Sequence, residues 1–565
     1  MKSKRLISLV LGVTLVFSTA LLGCGSKETG GKSESNSKEA LNMDKEQYLN
    51  LLMGEEPKIL DVSVGNDDVS YQVLKEVTEG LTRLEQDKEG KDVLKPGAAE
   101  KWESNEDGTV WTFHLRDNKW SDGKKVTAKD FEYGIKRTLD PKVASGYAFL
   151  LSPIKGANEY NEGKGSKDEV GVKAVDDKTL QFTLKQPCSY FLGLTYFRVM
   201  LPQRQDLIEK YGEKYGTEAE KVAFCGPFTI TKWTHSSEIT LEKNKEYWDK
   251  DSVKLDKVSI RLVKDGNAAL NSLYNDSIDC LEVGKPEWID KLNATKKYNI
   301  VEGYNPDVSF EFYNTKDKLF KNANIRKALS LAIDREDMSK VIFHGKYEAG
   351  YGWCPPKVQL GPSDEYRKLA EEEPLKTLKE ENKDPVVLFK KGLKELGMDE
   401  DPSKVTITVL YSGTDQNTRT TAEYEQQMYK KALGITVKAE YVDWGVFQKK
   451  INEFKYQIAG MIWGADYNDP SALFDLFLSD ANMIPTGWEN KEYDDIIKEA
   501  RSNLDVKKRL ELYKKAEKML IADEAVVSPK VYTKRKIYVH KYVKNFMNPL
   551  FGVREFKYAY TEGRK

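Results

Sequence analysis

The chain has 565 residues, of which 39% are hydrophobic and 32% charged, a composition that excludes a protein spanning a membrane many times. Its 89 basic and 90 acidic residues give a net charge of −1, so the composition shows none of the excess of basic residues typical of nucleic-acid-binding proteins. This length is enough for roughly two to four domains of ordinary size.

The first forty residues carry signals for export and for attachment to a membrane. Three basic residues at the N-terminus precede an uncharged, mostly apolar run over 6–23, and this pattern is typical of a secretory signal. The run ends in LLGC, which resembles the lipobox of bacterial lipoproteins, where the cysteine, here Cys24, receives a diacylglycerol after cleavage. We therefore predict a signal peptide over 1–23, a lipid anchor on Cys24 and a flexible, polar tether over 24–40. The alternative is an uncleaved transmembrane helix.

The spacing of the remaining cysteines and of the histidines does not predict a metal site. The four cysteines lie far apart without a CxxC pair, and the four histidines lack an HExxH pattern. Outside the cell these cysteines can form disulfides in three full pairings, and free buried thiols are an equal alternative. The cysteines concerned are Cys188, Cys225, Cys280 and Cys354.

The first half of the chain alternates short β patterns with amphipathic helices. Residues 110–116 alternate with period two, and Thr127 can cap a helix in which Phe131, Ile135 and Leu139 recur at helical spacing. Pro141 ends this helix. Further strands are predicted over 179–184, 228–230 and 261–263, and a further helix over 268–274.

The second half continues the same alternation. Residues 322–342 predict one long amphipathic helix or two, and Asp443 is predicted to cap a helix over 444–454. Further strands are predicted over 405–410, 437–442, 457–462 and 525–531, and further helices over 421–433 and 510–523.

Strand–helix alternation predicts α/β domains with largely parallel sheets. Ligands on such sheets bind outside the carboxyl ends of the strands. The buried strand predicted over 457–462 ends at Ile462, so residues 463–466 lie at that rim. The rim includes a carboxylate, Asp466, which follows small residues and precedes a turn.

No motif in the sequence supports an enzyme. There is no GxSxG elbow, no HExxH pair and no protease-type arrangement of cysteine and histidine. With 90 acidic residues, neighbouring carboxylates arise by chance. We therefore predict no catalytic residue, no metal and no cofactor.

Several segments together resemble a known family. They are EGLTRLE (79–85), LKPGAAEKWE (94–103), VWTFHLRDNKWSDGKKVTAKDF (110–131), GVKAVDDKTLQFTL (171–184), FKNANIRKAL (320–329) and WGADYNDP (463–470). The chain, from about residue 60 to about residue 560, resembles the peptide-binding members of the family 5 bacterial solute-binding proteins. Those proteins are the dipeptide and oligopeptide receptors of ATP-binding cassette importers.

The resemblance implies an α/β, bilobed fold of the periplasmic-binding-protein type (type II), with three domains and a two-strand hinge. Domain I would be discontinuous, over 41–78, 203–303 and 531–565, with domain II over 79–202 and domain III over 304–530. The two crossings near Gly303 and Val531 would form the hinge. Ligand binding would then shift the population toward a closed cleft.

The resemblance also implies that Asp466 holds the α-ammonium group of a peptide. This amine has a pKa near ~7.7–8, so it is mostly cationic at neutral pH and needs a carboxylate in a closed cleft. The alternative is that Asp466 only caps a turn. However, Asp469 directly precedes Pro470 and is the better cap for a helix beginning at Ser471, which leaves Asp466 without a structural role.

The rest of the ligand would be held through its backbone as an added strand. Gly464 and Ala465 are small enough to allow the close approach of a peptide backbone. The resemblance implies that Trp463 and Trp444 line side-chain pockets and that Tyr147 faces the cleft from domain II. Ordinary core packing is the alternative for each of these three aromatic residues.

The sequence departs from the family pattern at the arginines that meet the carboxylate of short peptides. Gly460 and Ile451 occupy those positions here, so the bidentate partner of a carboxylate is missing. Either Lys449, Lys450 or Lys455 takes over, or the ligand is a longer peptide, a blocked peptide or another solute.

The predicted function is a lipid-anchored, extracellular, monomeric receptor that delivers oligopeptides to membrane-embedded ATP-binding cassette permease subunits. No nucleic-acid partner is expected. One alternative is a receptor that senses a peptide pheromone. Others are a receptor for a nickel complex or an oligosaccharide, which the scarcity of histidine and the presence of Asp466 disfavour, and a secreted hydrolase.

Overall fold

The computed structural model describes residues 42–361, 364–481 and 483–564. The predicted signal peptide, Cys24 and the whole of the predicted tether lie outside the described residues. In chain order the strands are β1 Tyr48–Met53, β2 Thr82–Gln86, β3 Asp92–Pro96, β4 Ala99–Ser104, β5 Val110–Leu115, β6 Val172–Ala174, β7 Thr179–Thr183, β8 Phe228–Thr234, β9 Glu238–Lys243, β10 Lys257–Leu262, β11 Cys280–Glu282, β12 Tyr298–Tyr313, β13 Glu348–Ala349, β14 Thr406–Ser412, β15 Thr436–Val442, β16 Ile458–Gly464, β17 Val527–His540, β18 Val543–Lys544 and β19 Tyr560–Thr561.

The α-helices lie between these strands. In chain order they are α1 Asp68–Val77, α2 Ala128–Thr138, α3 Ala157–Asn161, α4 Phe191–Leu194, α5 Gln205–Tyr211, α6 Gly266–Tyr274, α7 Pro286–Thr295, α8 Ala323–Ala332, α9 Arg335–Val341, α10 Tyr366–Ala370, α11 Pro374–Glu381, α12 Pro385–Glu395, α13 Gln416–Leu433, α14 Trp444–Asn452, α15 Ser471–Phe474, α16 Lys491–Ser502 and α17 Val506–Lys518.

The strands form three larger sheets. Their orders are β1-β10-β9-β8, β4-β5-β7-β6 and β11-β17-β12-β16-β14-β15, with β13 also paired to β17. The prediction of largely parallel sheets is wrong, because most strand pairs among the described residues are antiparallel. Parallel pairing joins β1 to β10, and β14 to both β15 and β16. Direct hairpins such as β4–β5 and β8–β9 set the antiparallel direction elsewhere.

Two long strands, β12 and β17, run antiparallel to each other through the middle of the largest sheet. Gly303 in β12 faces Arg535 in β17, and Ser309 faces Val531. The register shifts after Tyr304 and again after Ser309, so irregularities interrupt the ladder between these positions. Such irregularities commonly bend a strand, and these two lie close to the predicted crossings at Gly303 and Val531.

Most helices form where the local pattern predicts them. Thr127 is the N-cap of α2, and its backbone N–H donates to Asp130 Oδ2 at 2.7 Å. The segment 322–342 forms two helices, α8 and α9, and the side chain of Asp334 caps the second by accepting from the Asp337 N–H. Asp443 occupies the N-cap position of α14, but its side chain makes no capping hydrogen bond.

Several predicted strands differ in extent from the observed ones. The strand predicted over 261–263 is β10, which begins four residues earlier, and the last predicted strand is β17, which continues to His540. The strand predicted as buried over 457–462 is β16. Its first two residues, Ile458 and Ala459, are buried, but Ile462 is 56% exposed, because the strand leaves the core as it approaches the cavity described below.

The four cysteines of the described chain, Cys188, Cys225, Cys280 and Cys354, are free and buried. The structure thus selects free thiols over the disulfide pairings that the sequence left open. Burial raises the thiol pKa of Cys188 to about 12 and that of Cys280 to about 11, which keeps both protonated and unreactive. Among the described residues, no helix combines the length and the apolar character that crossing a membrane requires.

Candidate ligand site

A cavity of about 580 Å³ lies at the end of β16. Its walls come from segments that are far apart in the sequence, drawn from residues 51–54, 68–72, 147, 197–198, 305–307, 464–466, 535–537 and 548–556. Sites for small ligands have volumes of roughly 300–1,000 Å³, so a cavity of this size suits a ligand comparable to a short peptide. Asp466, Gly464, Ala465 and Tyr147 are among its lining residues.

The residues on both sides of Asp466 are held by the protein itself. The Ala465 N–H donates to the Pro306 carbonyl oxygen at 2.8 Å. The ring of Tyr467 stacks on that of Tyr190 with 4.3 Å between centroids, and the Asn468 side-chain oxygen accepts from the Gln359 N–H at 2.8 Å. The backbone at Asp466 is therefore positioned by its neighbours before any ligand arrives.

Asp469 has the structural role in this turn. Its Oδ1 accepts from the Ser471 N–H at 3.0 Å, which satisfies a free donor at the start of α15. Both of its oxygens also accept from Arg509 Nη2, at 2.8 and 2.6 Å, in a buried ion pair. Pro470 occupies the N-cap position directly before α15, so Asp469 lies one residue before the N-cap. Its side chain still accepts the capping hydrogen bond that was predicted.

Asp466 has no such role. Its half-buried carboxylate accepts no hydrogen bond from any residue in the described part of the chain. Burial raises its pKa to about 6, Asp68 adds to this increase, and Arg198 opposes it. Removing a charged group from water is costly unless a partner compensates for it. This carboxylate is thus the group in the cavity that most needs a cation.

Asp68 and Arg198 face the same cavity from another part of the chain, and sequence reasoning missed both. Asp68 is the first residue of α1, where the helix dipole favours a negative charge. Arg198 is buried, and its Nη1 donates to the Asp67 carbonyl oxygen at 3.0 Å while its Nη2 lies 3.4 Å from Asp68 Oδ1. Two carboxylates, Asp68 and Asp466, therefore share one cavity with a single buried guanidinium near them.

Tyr147 lines the cavity close to Arg198. Its ring makes an edge contact with Phe197, with 5.7 Å between centroids, and lies 5.0 Å from the guanidinium carbon of Arg198. The side chain is therefore both part of an aromatic cluster and part of the cavity wall. Its contact with a ligand stays a prediction.

The two predicted tryptophans are not among the residues that line the cavity. Trp463 faces Val308 across the β12–β16 ladder, and its buried indole N–H has no acceptor among the described residues. Trp444 begins α14, is 51% exposed and stacks on Phe447 at 5.6 Å between centroids. Their assignment to side-chain pockets stays a prediction.

A model of the bacterial extracellular solute-binding proteins, family 5, matches residues 93–484. The chain belongs to this family. This family 5 solute-binding protein is 35% identical over 551 residues to the dipeptide-binding protein DppE of Bacillus subtilis (strain 168). The match covers 97% of this chain and 98% of DppE. It is 36% identical over 561 residues to the oligopeptide-binding protein OppA of the same strain, covering 98% of both.

A solved structure shares the fold of this solute-binding protein. The structure of Listeria monocytogenes OppA bound to peptide has a TM-score of 0.72 and 31% identity, and covers 92% of this chain and 100% of that one. The fold is the expected bilobed α/β fold of periplasmic-binding-protein type. The predicted crossings near Gly303 and Val531 lie in β12 and β17, which pair antiparallel, and their role as a hinge stays a prediction.

The lysines considered as replacements for the missing arginines do not line the cavity of this family 5 protein. Lys450 Nζ lies 2.5 Å from Glu440 Oε1, and Lys455 Nζ lies 2.7 Å from Glu453 Oε2. At Gly460, an added Cβ would lie 3.7 Å from Lys530 Nζ, but Lys530 is buried and paired with Glu425 at 2.7 Å. A ligand carboxylate needs another partner.

Proposed function

We propose that this protein is an extracellular receptor that captures oligopeptides in the cavity and delivers them to an ATP-binding cassette permease. The observation that carries this proposal is the unpartnered carboxylate of Asp466, which lines the cavity and has a pKa raised to about 6 by burial. A peptide supplies the missing cation through its α-ammonium group. The family and the relatives named for dipeptides and oligopeptides support the same conclusion.

The peptide backbone would add to the sheet beside β16. The ladder to β14 ends at Gly460, so residues 461–464 have a neighbouring described strand, β12, on one side only. Main-chain hydrogen bonds to such an edge give affinity whatever the side chains of the ligand are. At Gly464 a Cβ would meet Asp307 Cβ at 3.7 Å, and the absence of a side chain leaves the backbone accessible.

Closure would bring the two lobes together around the ligand. In the proposed division, domain I comprises residues 41–78, 203–303 and 531–565, domain II residues 79–202, and domain III residues 304–530. Asp466 then belongs to domain III and Asp68 to domain I, so a bound ammonium group contacts charges from both lobes. A ligand that interacts with both lobes favours the closed state over the open one.

Attachment and transport complete the proposal. Cys24 would carry the lipid anchor, and the tether over 24–40 would let a monomeric receptor reach the permease at the cell surface. The protein would act without catalysis, since the cavity supplies binding groups rather than a nucleophile paired with a base.

Native mass spectrometry of the purified protein tests this function. We expect co-purifying peptides with free amino termini, observed as a set of masses that are lost after denaturation. A single peptide species bound tightly would instead favour the pheromone receptor, and a bound sugar or metal complex would contradict peptide binding. Release of shortened fragments from an added peptide would contradict the absence of catalysis.

The pH dependence of binding should have a maximum between about pH 6 and about pH 8. Below the Asp466 pKa of about 6, a proton must leave before the ammonium group binds, so affinity falls up to about tenfold per pH unit. Above about pH 8 the peptide amine loses its charge, and affinity falls again. Tryptophan fluorescence titrations across this range measure both limbs.

Two comparisons check the assignment of the acidic limb. An N-acetylated peptide should show neither limb, because it has no amine to protonate. Asp68→Asn should move the acidic limb to lower pH, since Asp68 raises the pKa of Asp466. An acidic limb that stays in place in Asp466→Asn would contradict the assignment.

A further inference from the structure

The cavity also contains a second uncompensated charge, the guanidinium of Arg554. The backbone of Arg554 is fixed by Gln72, which accepts from its N–H at 3.1 Å and donates to its carbonyl oxygen at 2.9 Å. The side chain is half-buried and lines the cavity. Its guanidinium has neither a hydrogen bond nor an ion pair with any residue in the described part of the chain.

Arg535 lies beside Arg554 on the wall of the same cavity. Its Nη2 donates to the Pro549 carbonyl oxygen at 2.9 Å, which orients the guanidinium from one side. Burial lowers its pKa, Glu282 and Asp92 oppose this, and the nearby charge of Arg554 lowers the pKa further. Two guanidinium groups therefore repel each other in a partly desolvated position, an arrangement that an anion relieves.

The acidic residues nearby leave the guanidinium groups of Arg554 and Arg535 available to bind an anion. Glu282 and Asp307 line the cavity, and each favours the charged form of Arg535. Asp307 accepts a hydrogen bond from Thr533 Oγ1 at 2.6 Å, and Asp92 accepts from the Leu550 N–H at 2.8 Å. Within the described ranges, no ion pair joins either guanidinium to a carboxylate.

We propose that Arg554, supported by Arg535, binds the terminal carboxylate of a short peptide whose ammonium group is held by Asp466. This inference rests on the proposed function, and it names the ligand class: peptides of two or three residues with both ends free. The cavity presents opposite, uncompensated charges to one ligand, and a zwitterionic peptide matches both. Arginine binds a carboxylate through two parallel hydrogen bonds, so the match is geometric as well as electrostatic.

The size of the cavity agrees with this ligand class. A chain of two or three residues is at most roughly 7–11 Å long when extended. The volume of about 580 Å³ suits a ligand of this size. Arg554 and Arg535 thus replace the arginines that are missing at positions 460 and 451, but from β17 and the C-terminal segment rather than from domain III.

The test compares two tripeptide libraries that differ only at the carboxyl terminus, one as free acids and one as carboxamides. Occupancy is measured by native mass spectrometry with the mature protein. We expect the wild-type protein to bind the acids roughly 10–100-fold more tightly than the amides, because the amide lacks the charge that Arg554 recognises. Arg554→Gln should remove this difference and leave amide binding within about twofold.

Two further variants sharpen the result. Arg554→Lys should restore part of the preference, because it keeps the charge without the paired donors. Arg261→Gln is the matched control, since Arg261 is an exposed arginine that does not line the cavity. Its preference for acids should equal that of the wild-type protein.

The outcomes separate the inference from the proposed function. Equal binding of acids and amides by the wild-type protein would overturn the role of Arg554, and this measurement does not depend on the folding of any variant. An Arg554→Gln protein that keeps the preference would overturn it as well. If neither library binds while longer peptides do, the proposed function stands and the short-peptide class is wrong. If no peptide of any length binds, the proposed function itself fails.

Discussion

Asp466→Asn is expected to weaken the binding of peptides with a free amino terminus by about 2–5 kcal/mol, which is roughly 30-fold or more in Kd. The substitution keeps the size of the side chain but removes the charge that pairs with the ammonium group. Because no described residue bonds to this carboxylate, the variant should keep the stability of the wild-type protein. Isothermal titration calorimetry at about pH 7.5, above the Asp466 pKa of about 6, measures the loss.

The control ligand is the same peptide with an acetylated amino terminus. It should bind the wild-type protein and Asp466→Asn with similar affinity, since it never offers the cation. The control variant is Asp480→Asn, which neutralises an exposed aspartate that does not line the cavity. An equal loss for acetylated and free peptides in Asp466→Asn would show that the carboxylate does not act on the amine.

Arg83→Met is expected to lower the free energy of unfolding by about 3–5 kcal/mol, because it leaves buried carboxylates without their partner. Arg83 is fully buried and donates to Glu79 Oε2 at 2.7 Å and to Glu555 Oε2 at 2.6 Å. Burial by itself would lower the pKa of Arg83, but Glu555 and Glu79 raise it above its usual value. Urea unfolding followed by tryptophan fluorescence measures the change.

A second substitution tests the cause. Adding Glu555→Gln to Arg83→Met should recover part of the loss, because it removes one of the stranded charges. Arg419→Met, at an exposed arginine, should change stability by no more than about 0.5 kcal/mol. A loss below about 1 kcal/mol for Arg83→Met would mean that Lys75, 3.6 Å from Glu555 Oε2, compensates the carboxylates alone.

The motif EGLTRLE thus serves the fold rather than the ligand. It contributes Glu79 and Arg83 to a buried ion-pair network that joins β2 to the C-terminal segment at Glu555. Asn118 of the motif over 110–131 has a similar role, since its side chain donates to the Cys225 carbonyl oxygen and accepts from the Trp248 N–H. Glu79, Arg83 and Asn118 thus hold distant segments of the chain together.

The sequence by itself determined what depends on neighbours along the chain. The helix capped at Thr127, the helical periodicity of 322–342 and the free position of Asp466 beside the structural Asp469 all follow from residues within a few positions of each other. Local hydrogen bonding and periodicity act over one or two turns, so they can be read without knowledge of the fold.

The tertiary structure alone decided the strand directions and the composition of the cavity. Whether two strands pair in parallel depends on the path between them, which local patterns do not record. Asp68, Arg198, Arg535 and Arg554 carry no distinguishing signal in the sequence, and they share a cavity with Asp466 only because the sheets bring their segments together. How strongly each charge in the cavity attracts a ligand depends on its burial and on whether neighbouring groups compensate it. Both are set only when the chain has folded.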